Sequence, residues 1–80
     1  MDQDTSASDL RAELNEVERD LESLRKSAAS VRADVGEADD PTDRGALIQQ
    51  ADELDGLVER LVVRREDLLR RLGEARQAES

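Results

Sequence analysis

Leu10, Leu14, Val17, Leu21, Leu24, Ala28, Val31 and Val35 follow one another at intervals of 4, 3, 4, 3, 4, 3 and 4. Leu47, Ala51, Leu54, Val58, Leu61, Arg65, Leu68 and Leu72 repeat the same intervals. A strand alternates with a period of two, whereas this spacing is the heptad seam of a helix packed on another helix. Leu14, Leu21, Ala28 and Val35 take a positions in the first series, and Leu10, Val17, Leu24 and Val31 take d. In the second, Ala51, Val58, Arg65 and Leu72 are a, and Leu47, Leu54, Leu61 and Leu68 are d.

Gly36-Glu37-Ala38-Asp39-Asp40-Pro41 separates the two series. Gly36 suits a left-handed position just past a helix end. Asp40 can cap the next helix, and Pro41 suits its first position because that amide has no partner to lose. Ser6 or Ser8 can cap the first helix. The expected fold class is all-α: a two-helix antiparallel coiled-coil hairpin, able to dimerise into a four-helix bundle. Its expected parts are a disordered acidic tail (1–7), a helix (8–35), a turn (36–40), a helix (41–77) and a disordered end (78–80).

In an antiparallel pair a packs against d, so the residue numbers in each layer share one total. A total of 82 sets Leu10 on Leu72, Leu14 on Leu68, Leu21 on Leu61, Val31 on Ala51 and Val35 on Leu47. On one flank it sets Glu13 on Arg71 and Asp20 on Arg64. A total of 75 centres the turn better but leaves Leu72 facing Gln3, so 82 is expected. Arg65 is the one charged seam residue, and its stem can cover the seam while its guanidinium reaches water or Glu18.

The two helices differ beside the seam. The second carries Ile48, Val62 and Leu69 at e and Leu57 at g. The first has Arg11, Glu18, Arg25 and Arg32 at e. One partner helix cannot cover so broad an apolar face. Ile48, Leu57, Val62 and Leu69 are therefore the candidate partner-binding residues.

Composition narrows the function. Among the 80 residues there is no His, Cys, Phe, Trp or Tyr. The usual neutral-pH general base, the thiol nucleophile and the stacking platform for bases are all missing. No phosphate-cradling glycine loop, HExxH, GxSxG or CxxC motif occurs. Asp39, Asp40 and Asp43 lack the spacing of a calcium loop. No enzyme activity, metal or cofactor is expected. The net charge of −9 opposes nucleic-acid binding through overall charge. No apolar run is long enough to span a membrane, and the acidic start does not resemble a secretory leader. A cytoplasmic protein is the resulting expectation. Asp52, Glu53, Asp55 and Glu59 read as a solvated face. Arg60, Arg64, Arg65, Arg70 and Arg71 could clamp a phosphate, although Glu59, Glu66 and Asp67 interrupt them and Glu66–Arg70 is a helical ion-pair spacing.

The stretch DPTDRGALIQQADELDGLVERLVVRREDLLRRLGEA, with DLRAELNEVERDLESLR upstream, resembles short uncharacterised coiled-coil hairpin proteins of actinobacteria. The resemblance spans Asp9 to Ala75 and rests on the DPTD turn and the VRREDLLRRLG ending. It implies a hairpin shape and no assigned activity. A remoter likeness is to actinobacterial anti-sigma hairpins that bind cyclic di-GMP through E-x3-S-x2-R-x3-Q-x3-D. Arg19, Ser23, Lys26, Ser30 and Asp34 align with that motif. Ser23 and Asp34 match and Lys26 keeps a charge, but Arg19 and Ser30 depart. Lysine also cannot reproduce a bidentate arginine contact. The expected function is a non-enzymatic interaction or scaffold module that binds a protein partner, or itself as a homodimer, through the second helix. The alternatives are a small anti-sigma-like or nucleotide-sensing regulator, and an acidic antitoxin or nucleic-acid mimic.

Overall fold

The computed structural model describes residues 6–79, and there the chain is two helices joined by a short turn: α1 (Ala7–Glu37) and α2 (Pro41–Glu79). They lie against each other as a rod of 59 × 19 × 14 Å. Its long dimension is that of α2, since 39 residues at ~1.5 Å each reach about 58 Å.

Each helix end has a local cause. Ser6 accepts a hydrogen bond from the Asp9 amide at 3.1 Å and caps α1. Ser6 and Ala7 therefore belong to the folded hairpin, contrary to the expected tail; residues 1–5 lie outside the described residues. At the other end of the chain, α2 runs on through 78 and 79, and only Ser80 of the expected loose end lies outside them.

Gly36 does not end α1. The helix continues through Glu37, and no described glycine has a positive φ. The stop comes from the next helix instead. The proline ring disfavours helical backbone at the residue before it, here Asp40. Asp40 then accepts from the Thr42 amide at 2.9 Å and caps α2. Ala38 is extended, its amide bonded back to the Val35 carbonyl at 3.3 Å. Arg44 donates to the Ala38 carbonyl at 2.6 Å, so a cation from α2 closes the end of α1.

The seam is what becomes buried. Leu10, Val17, Leu21, Leu68 and Leu72 form one cluster, with Leu14, Val58, Leu61 and Val62 packed on it. Leu68 is fully enclosed. This thick part lies at the open end of the hairpin. Toward the turn the buried residues are Ala28, Val31 and Ala51, with Leu47 and Val35 only half-buried. The core therefore thins from leucine to alanine along the rod.

Among the described residues, ion pairs cross between the helices at Arg64–Glu13, Arg65–Glu18 and Arg32–Asp55, and the last two separate the 82 register from the 75 one. Glu13 and Arg64 are both g, Arg32 and Asp55 both e, as antiparallel packing requires. In the 82 register Arg65 faces Val17, the residue beside Glu18, and the e neighbours of Arg32 are Ile48 and Asp55. In the 75 register Asp55 would lie a heptad too far. The expected partners Glu13–Arg71 and Asp20–Arg64 are not formed. Arg64 takes Glu13 instead, one heptad along the same flank.

The uneven core sets the order in which substitutions should cost stability. Leu68→Ala should cost about 2–5 kcal/mol, because nothing at an enclosed seam position can collapse into the gap. Half-buried Leu61→Ala should cost less, and exposed Glu37→Ala should fall within about 0.5 kcal/mol of wild type. Separately, Asp40→Ala removes a cap and should cost about 1 kcal/mol. Urea unfolding followed by far-UV circular dichroism ranks all four; equal effects at Leu68 and Glu37 would rule out seam-dominated stability.

Candidate functional site

The four candidate partner-binding residues do not share one surface. Ile48 and Leu69 are 46% and 42% exposed on one flank of α2, and Leu57 is 41% exposed on the opposite flank. Val62, between Ile48 and Leu69 in the same row, is half-buried and packs against the core cluster. The row is also broken: Asp55 holds the remaining e position and is bound to Arg32. The apolar face is thus narrower than a count of e and g aliphatics implies.

Val63 is the most exposed large aliphatic, at 67%. It sits at f, directly opposite the seam, in a shallow depression with Gly56, Glu59 and Arg60. The heptad assignment already places it there, so its exposure was readable from the spacing.

The arginine cluster is largely engaged within the chain. Asp67 is its hub. It accepts hydrogen bonds from Arg64 at 3.3 Å and from Arg70, and forms an ion pair with Arg71 at 3.1 Å. Arg70 therefore pairs with Asp67, three residues back, rather than with Glu66 at the expected four. Arg64 also reaches Glu13 and so ties the hub to α1. The Glu13 hydrogen bond raises the Arg64 pKa above its ordinary value; slight burial opposes this, and the charges of Glu13 and Asp67 add to it. A raised cation pKa contributes stability that is present below its unfolded value and lost only as pH climbs through the folded one. For arginine that window lies beyond the physiological range.

Arg65 behaves as its seam position suggests. Its Nε donates to Glu18 at 3.1 Å, and its side chain is about two-fifths exposed. It borders an open depression of about 420 Å³ with Glu18, Leu21, Glu22, Arg25 and Lys26. Lys26 is held by Glu22 at 3.4 Å. The five positions aligned with the anti-sigma motif, Arg19, Ser23, Lys26, Ser30 and Asp34, are all exposed along α1. The acidic turn is a capped helix start rather than a cation loop, because Asp40 is occupied by the Thr42 amide. Among the described residues no group of three or more metal-ligating side chains is arranged to hold an ion. No described helix is long and apolar enough to cross a membrane.

Comparison of the chain with protein families, curated proteins and solved structures returns no significant match.

The hub generates a contrast between neighbours. Asp67→Ala leaves three arginines without their shared carboxylate and should cost about 1–2 kcal/mol, reduced by added salt. Glu66→Ala, one residue away and without an ion pair to a described residue, should stay within about 0.5 kcal/mol of wild type. Thermal melts at low and high salt measure both.

Proposed function

We propose that this chain is a non-enzymatic, cytoplasmic protein-interaction module, and that the flank of α2 bearing Ile48, Val62 and Leu69 seats its partner. One observation carries the reading. Ile48 and Leu69 stay more than two-fifths exposed although the seam of α2 is already covered by α1. Isolated surface aliphatics are ordinary, but a row at heptad spacing beside a seam is the geometry by which a further helix packs onto a hairpin. The absence of His and Cys from the sequence supports a binding role over catalysis.

Phosphate recognition by the arginine cluster is the weaker reading. Arg64, Arg65, Arg70 and Arg71 already meet Glu13, Glu18 or Asp67, and a phosphate ligand would have to displace those carboxylates.

A photo-reactive amino acid at Leu69 tests the proposal in cells of the native host. The expected result is a discrete protein adduct at Leu69 and none at Arg19, which lies exposed on α1. Equal labelling at the two sites, or no adduct at Leu69, would reject the flank as an interface.

A further inference from the structure

We infer that the occupant of this flank is a second copy of the chain, docked with both turns at the same end to form a two-fold four-helix bundle. This rests on the reading of the flank as an interaction surface and adds the occupant and its orientation.

The groove beside Ile48, Val62 and Leu69 has two walls of opposite character. The α1 wall carries Arg11, Arg25 and Arg32, with Glu18 between them. The α2 wall carries Asp52, Asp55, Glu59 and Glu66 beside the aliphatics. Arg32 and Asp55 satisfy each other, and Glu18 holds Arg65. Arg11 and Arg25 form no ion pair with a described residue, and neither do Asp52, Glu59 or Glu66. The hairpin thus presents unpaired cations on one wall and unpaired carboxylates on the other.

A symmetric partner can cover such a face in two ways. With the two-fold axis across the rod, α2 lies on the partner's α2, and the row of carboxylates meets its own copy. Like charges then face each other along the α2 contact. With the axis along the rod, α1 lies on the partner's α2, and the cationic wall meets the acidic wall twice. The 82 register sets the levels. Arg25 lies level with Asp55 and Glu59, and Arg32 with Ile48 and Asp52. The depression lined by Leu21, Arg25 and the ion-paired Arg65–Glu18 and Lys26–Glu22 lies level with Val62. A hollow on one copy therefore faces an aliphatic side chain on the other. Only the arrangement with the turns together brings both complementarities into play.

The chain has no cysteine, so Asp39→Cys gives one labelling site, at the turn. Sedimentation equilibrium of the full chain should give twice 8.9 kDa at high micromolar concentration. Nitroxide labels at Asp39→Cys should lie within about 30 Å, given helices packed ~8–10 Å apart and the reach of two label arms. A separation approaching the 59 Å length of the rod would overturn the orientation. Arg25→Glu and Glu59→Arg should each weaken the dimer by about tenfold or more, and the two together should restore it to within about threefold. Circular dichroism confirms that each variant keeps its helices. No restoration in the combined variant would overturn the pairing of the walls. A monomer mass accompanied by a Leu69 adduct to a different protein would overturn self-association and leave the interaction reading standing; a monomer mass with no adduct would remove both.

Discussion

One layer of aliphatic side chains between two helices holds this molecule together. A two-helix hairpin has no second layer, so each seam position has a single partner helix to bury against. The isolated helices gain little by themselves, since most helical stability in proteins comes from packing an amphipathic face. The unequal burial along the rod follows from this. Where leucines meet, at Leu10, Leu21, Leu68 and Leu72, the side chains are enclosed. Where Ala28 and Ala51 narrow the seam, the flanking Leu54 remains half open.

Charge has a different task. Exposed ion pairs contribute less than about 1 kcal/mol each, too little to hold the helices together. They can still discriminate between registers that bury similar apolar area. A slip of one heptad in either direction keeps a against d but moves Arg65 away from Glu18. The Asp67 hub works along the helix as well as across it. By collecting Arg64, Arg70 and Arg71 it relieves repulsion within the basic end of α2, while Arg64 passes the tie on to Glu13.

The seam was legible because periodicity is a property of the sequence itself, and the register was legible because only the 82 total gives Leu72 an aliphatic partner, Leu10, with which it shares the buried cluster. The contact of Arg65 with Glu18 followed from the same layer assignment. The errors fell where several side chains compete for one partner. Sequence spacing offers Arg71 both Glu13 and Asp67, and local geometry on α2 favours Asp67. Gly36 was misplaced because a glycine permits a helix to end without requiring it. The rigid Asp40-Pro41 pair, four residues further along the chain, does the requiring. The flank was half legible. Ile48 and Leu69 are exposed as the heptad implies, but Asp55 occupies the same row and Val62 leans into the core.

Binding on the proposed flank would be coupled to folding through Val62. It packs against the core cluster while its row faces outward, so a partner seated on that row would press on the same layer that holds the hairpin closed. Any partner that binds only the folded chain stabilises it by mass action, by about 2.7 kcal/mol at a hundredfold excess over Kd. For a chain of 80 residues with one thin core, that increment is a large fraction of the total stability available. The alanine-rich segment near the turn gains most, because Ile48 lies beside it and an occupant there would cover the part of the rod that α1 and α2 leave thinnest.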